Sequence, residues 1–267
     1  MRTPILFIFA ICLLACALSW GVEIQSEQEL LSRCESAGIK CRSVSSDANG
    51  SLTVDLSGSN IHDLAVLQGM PIGALSLREA EIVDISQLAG MLITNLDLSC
   101  TQVADLTVLH EMPLQALNLE LTPVATIESL RGLPIVVLIL RETSIQSLDP
   151  LTNSPIRTLD IVRTKVDNLS SFKNLPLEVF RFSPERITSG IEVLRSMKTL
   201  KYIGNLYETI PAESFWERYD KGQFRAGPEG PALTPSQLDI LESLKTDGGL
   251  KDDHLDSILK GRSKVGE

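Results

Sequence analysis

Residues Leu96–Ala116 read LDLSCTQVADLTVLHEMPLQA, and the next 21 residues read LNLELTPVATIESLRGLPIVV. Laid one above the other, the two stretches agree in chemistry at nearly every apolar position. The agreement extends in both directions at a constant interval of 21. Val54, Leu75, Leu96, Leu117, Leu138, Leu159 and Phe180 form one column, and Leu56, Leu77, Leu98, Leu119, Leu140, Ile161 and Phe182 form another two residues on. Further columns start at Ile61, Leu64, Leu67, Met70 and Ile72. Seven columns over seven rungs give 49 slots, and only Ser154, Gly190, Ser196 and Lys198 are not apolar. Three of these four fall in the last rung, so the pattern dissolves there.

A fixed period of this length marks a coil that cannot bury its own apolar side and must stack on copies of itself. The apolar–x–apolar core of each unit predicts a short strand with two inward side chains and one outward side chain between them. The predicted architecture is α/β: a right-handed solenoid of seven 21-residue rungs, with a parallel sheet on the concave face and helical caps. Just after each strand stand Ser59, Ala80, Thr101, Thr122, Thr143 and Thr164. Hydroxyls there are expected to bond turn backbone groups that would otherwise be buried without partners. Pro71, Pro113, Pro134, Pro155 and Pro176 recur before the strands, where a missing N–H is tolerated, with Leu92 the exception.

The pattern resembles leucine-rich repeats, in the short form of bacterial internalin-like proteins. Threonine stands where that family usually has asparagine, and each unit is one residue shorter than the commonest form. The likeness covers roughly residues 50–200. It implies a binding fold used for many unrelated partners. The ending, GIEVLRSMKTLKYIG (Gly190–Gly204) followed by FWERYDKGQF (Phe215–Phe224), is also similar to the repeat region of some bacterial serine/threonine kinases. No Gly-rich phosphate loop, H-R-D or D-F-G sequence accompanies it.

Around the repeats the composition changes. Residues 1–21 combine Arg2, an apolar run from Ile5 to Leu14, and small residues, and are expected to be a signal peptide. Ala17-Leu18-Ser19 suits ordinary cleavage, whereas Leu13-Leu14-Ala15-Cys16 resembles a lipobox that would make Cys16 a lipidation site. An uncleaved anchor is the third option. Residues 22–53 are expected to form an N-terminal cap: a helix over Gln25–Ser36, then a hairpin around Asp47-Ala48-Asn49-Gly50. Residues 54–189 are the repeats. Residues 190–224 are expected to be a helical C-terminal cap, with Ile191, Leu194, Met197 and Leu200 at helical spacing and Phe180, Phe182, Phe215, Trp216 and Tyr219 covering the last rung. Residues 225–267 read as a linker and a short helical tail. Cys34 and Cys41 are either a disulfide pair or two small buried residues.

The chain has 267 residues, a net charge of −10 and only three histidines. The charge argues against nucleic acid, and the histidine count against histidine-based acid–base or metal chemistry. No catalytic constellation, metal site or cofactor is expected. Adjacent carboxylates on an open, wet face lack the burial that would separate their pKa values. The candidate ligand-binding residues are the outward set Asp55, Arg78, Asp97, Asn118, Glu120, Arg141, Asp160 and Arg181. The leading expectation is an extracytoplasmic, monomeric recognition module that binds a protein or another envelope polymer. Membrane contact would come only through an anchor. The alternative is an envelope spacer presenting its C-terminal helices.

Overall fold

Successive strands pair at the interval the sequence repeats. A computed structural model describes residues 26–224. Within it, β2 (Leu52–Asp55), β3 (Ile72–Ser76), β4 (Asn95–Asp97), β5 (Ala116–Asn118), β6 (Val137–Ile139), β7 (Thr158–Asp160), β8 (Val179–Arg181) and β9 (Tyr202–Gly204) run parallel in chain order. Leu75 faces Leu96, Leu96 faces Leu117, Leu117 faces Leu138, Leu138 faces Leu159, and Leu159 faces Phe180. Each of these side chains is at most 3% exposed. Short strands of this kind have little intrinsic preference. They form because each buries one column while pairing its backbone with both neighbours.

The return half of each coil is a single 3-10 turn, as in Ser86–Leu88, Glu128–Leu130 and Asp149–Leu151. Leu88, Leu130 and Leu151 are buried at these turns and close the core from the side opposite the strands. Each turn begins on an acceptor two residues ahead of the N–H it satisfies. Asp63 accepts from Ala65 (2.9 Å), Asp84 from Ser86 (2.7 Å), Asp105 from Thr107 (2.8 Å) and Asn168 from Ser170 (2.9 Å). Thr126 and Ser147 do the same for Glu128 and Asp149. The acceptors stand 21 residues apart, and so form a polar column matching the apolar ones.

A second polar column lies at the strand exit. The Thr101, Thr122, Thr143 and Thr164 hydroxyls donate to the carbonyls of Leu98, Leu119, Leu140 and Ile161 at 2.7–2.8 Å. Immediately before each threonine the backbone enters the left-handed region. Gly58, Glu79, Cys100, Leu121, Glu142 and Arg163 all have φ between 56° and 63°. Pro184 occupies the next position of this column. Its ring forbids positive φ, and the chain instead makes a 3-10 turn over Pro184–Arg186.

The constant interval lapses at that point. Phe180 pairs with Ile203, a step of 23 residues, and helix α2 (Ile191–Ser196) replaces the 3-10 turn. The helix is shorter than the apolar spacing suggests. Met197 is already extended, and the buried residue is Leu194, one place later than the Leu67 column requires. Gly190 precedes the helix with φ 83°, and a Cβ there would lie 2.5 Å from the Ser170 nitrogen. The slot is therefore glycine because backbone meets backbone. Phe172, Phe180 and Phe182 fill the core at this end, with centroids 5.3 and 5.0 Å apart in edge-on and stacked pairs.

At the front, residues 26–36 form helix α1. Strand β1 (Ser43–Ser46) then pairs antiparallel with β2. The Asp47 carboxylate holds the intervening turn by accepting from Asn49 (2.8 Å) and Ser51 (2.9 Å). At the back, β10 (Thr209–Pro211) pairs antiparallel with β9. Residues from Glu213 belong to a second unit, which contains most of α3 (Ala212–Asp220). There Phe215 stacks on Phe224 at 4.7 Å, and Trp216 meets Phe215 edge-on at 5.2 Å. Cys16 and the tail beyond Phe224 lie outside the described residues. No described helix is long and apolar enough to cross a membrane.

Two substitutions test these ladders by chemical unfolding. Thr143→Val keeps shape but removes a buried donor, and should lower stability by about 1 kcal/mol. Gly190→Ala should cost about 2 kcal/mol or more, through positive φ and the backbone clash together. Unchanged midpoints would show that neither contact is needed.

Candidate functional site

On a strand that buries its central residue, the two flanking residues face outward. The sheet therefore presents two outward columns. One is Asp55, Ser76, Asp97, Asn118, Ile139, Asp160 and Arg181. The other is Thr53, Ala74, Asn95, Ala116, Val137, Thr158, Val179 and Tyr202. The sequence reading found the first and missed the second. The signal was available, because period-two alternation runs both ways from the first leucine.

The candidates Arg78, Glu120 and Arg141 stand in neither column but two residues beyond the first, at the strand exit. Those three keep exposure, but Ser57, Ser99, Val162 and Ser183 of the same column are buried. The left-handed turn that follows Ser57, Ser99 and Val162 also follows Arg78, Glu120 and Arg141, and only the longer charged side chains stay accessible beside it.

Several proposed ligand contacts also hold the fold. One side-chain oxygen each of Asp55, Asp97, Asn118 and Asp160 accepts from the N–H two residues on, at Ser57, Ser99, Glu120 and Val162, over 2.8–3.0 Å. At Asp55, partial burial opposes the charge. The hydrogen bonds from Ser57 and the Arg42 charge outweigh it and hold the carboxyl below its usual range. Asp160 departs from expectation, being buried at 5% exposure. Burial pushes its pKa up despite the Val162 hydrogen bond and the charges of Arg181 and Arg141.

The charges at this end are matched within the protein. Arg181 donates to Asp160 at 2.8 Å and to the Asn205 carbonyl at 3.1 Å, and Arg141 meets Glu120 at 2.7 Å. Arg78 instead pairs with its neighbour Glu79 at 3.0 Å. Between and beside these pairs the outward face carries Ala116, Val137, Ile139 and Val179, interrupted by Thr158, and ends at Tyr202, which is 47% exposed. Tyr207 stands 53% exposed on the β9–β10 turn, which Asn205 fixes by accepting from the N–H groups of Tyr207 and Glu208. A shallow groove of about 470 Å³ runs across β1 to β6, bordered by Thr53, Asp97, Ala116, Asn118 and Val137.

The face can hold a partner by burying its apolar stripe and by hydrogen bonding at the polar end. The two described histidines make local contacts away from this face. His62 and His110 are exposed and bond the carbonyls of Glu81 (2.8 Å) and Thr107 (3.0 Å). Among the described residues no group of three His, Cys, Asp or Glu side chains could hold a metal ion. Cys100 sits at the exit of β4 with its thiol pushed up, chiefly by burial.

No protein-family model matches the chain, and no curated protein matches it. Solved structures do. An internalin from Listeria monocytogenes is 23% identical, with a TM-score of 0.52 over 58% of this chain and 47% of its own. Internalin C2 from the same organism is 19% identical, with a TM-score of 0.51 over 60% of this chain and 87% of its own. The match thus spans less than half the length of the first. At these identities the likeness speaks for the fold, and it agrees with the ladder of short parallel strands. The fold is a leucine-rich repeat solenoid of the internalin type.

Proposed function

We propose that the protein is an exported, non-catalytic recognition module that binds another protein on the outward face of its sheet. One observation carries this reading: Val137, Ile139, Val179 and Tyr202 stand on the outward surface of the sheet, outside the buried core. A solvated sheet face ordinarily carries polar residues there, and a row of apolar and aromatic side chains marks a contact surface. The flanking ion pairs are neutral in sum, so they border the stripe without repelling an apolar partner. The internalin-like fold supports binding over catalysis, and the apolar run near Arg2 supports export.

A photo-crosslinking residue placed at position 137 or 202 in the native host should capture the same partner. The same residue at position 128, on a 3-10 turn, should capture nothing shared. Val137→Glu should reduce capture at least tenfold at unchanged stability. Equal capture from position 128 would overturn the assigned face.

The polar end needs a control that respects its structural role. Asp97→Ala loses the bond to Ser99 and should cost about 1 kcal/mol, whereas Asp97→Asn keeps an acceptor and should unfold like the parent. If Asp97→Asn weakens capture, the carboxylate charge belongs to the interface. If Asp97→Asn is as unstable as Asp97→Ala, the assigned turn bond is wrong.

A further inference from the structure

We propose that Cys34 and Cys41 are an oxidisable pair, with Cys41 the attacking thiol, whose disulfide fastens helix α1 to the first hairpin. Cys34 follows Leu30 by one helical turn, and both are shut off from solvent, Cys34 at 1% exposure. They therefore share the buried face of α1. The chain reverses directly after them: the Ile39 N–H donates to the Cys34 carbonyl at 2.8 Å, and Gly38 has φ 68°. Seven residues on, this reversal returns Cys41 to the neighbourhood of the Cys34 thiol, where each cysteine acts on the ionisation of the other. The Cys41 sulfur also lies 3.6 Å from the Ser43 carbonyl and 3.8 Å from that of Asp55. The Arg42 N–H donates to the Asp55 carbonyl at 2.9 Å, which ties this end of the loop to β2. Both cysteines are thus placed by backbone hydrogen bonds, on two elements that no covalent bond beyond the loop itself connects.

Their environments set the order of reaction. Cys41 is half-buried and reachable from solvent. Cys34 is enclosed, and its thiol is pushed up to about 11, first by burial and then by its neighbour Cys41. An oxidant bearing a disulfide therefore meets Cys41 first. The Cys41 thiolate attacks one sulfur, the oxidant's S–S bond breaks, and one of its thiols leaves. The Cys34 thiolate then attacks the Cys41 sulfur of the mixed disulfide and releases the second thiol. In total two S–H bonds break and one protein S–S bond forms. The two electrons and two protons end on the oxidant, as two thiols.

The test uses the full chain with oxidised glutathione as the oxidant at pH 8. After alkylation, trypsin cuts following Arg33, Lys40 and Arg42. Mass spectrometry should find residues 34–40 joined to residues 41–42, two hydrogens lighter than the separate peptides. The joined species should vanish on reduction, and its formation should raise the unfolding midpoint by about 5 °C. Cys34→Ser should halt at a glutathione adduct on Cys41. Cys41→Ser should gain an adduct on Cys34 at least tenfold more slowly. Two separately alkylated peptides after oxidation, or a link from either cysteine to Cys100, would overturn the pairing. Equal adduct rates in the two variants would overturn the order.

Discussion

Equal coil length is the constraint on which the other features depend. Parallel strands that follow one another in sequence keep their pairing only if each return path uses the same number of residues. A slip of one residue would turn a buried leucine to solvent and an outward aspartate to the core. From Leu75 to Phe180 the interval does not change. Where it grows to 23, the extra residues go into α2, the last parallel pair is made with β9, and an antiparallel strand follows.

So short a coil must bury its turns, and buried turns leave backbone groups that need partners. The chain answers with side chains at the same interval as the leucines. Threonine hydroxyls serve the strand-exit carbonyls, carboxylates or amides serve the N–H groups at the strand exit, and carboxylates, amides or hydroxyls serve those at the start of the 3-10 turns. These side chains do the work of a longer turn, and a 21-residue unit can then close. The same economy gives some outward residues two duties. Asp97 and Asn118 each brace a turn and also lie beside the groove.

What could be read beforehand followed from how strongly each position is constrained. The inward columns were legible because burial admits only a few residue types. The acceptor column at positions 63, 84, 105, 126, 147 and 168 was not. It mixes aspartate, threonine, serine and asparagine, which look like any solvated loop. The outward column ending at Tyr202 was overlooked because the strand was read in one direction only. The burial of Asp160 could not have been read from its own unit, since the arginine that matches it stands one coil later. Helix α2 was overestimated because Met197 and Leu200 continue an apolar spacing after the backbone has already straightened.

The left-handed column has a consequence for how the molecule can change. Glu79, Cys100, Leu121, Glu142 and Arg163 share a conformation that disfavours every side chain by about 1 kcal/mol and suits glycine or asparagine better. The five are of four different types, so the backbone conformation is the feature they have in common. The solenoid therefore carries unused thermodynamic headroom along one ridge. That ridge is where a lineage could trade surface identity for robustness without disturbing the interior or the strand face.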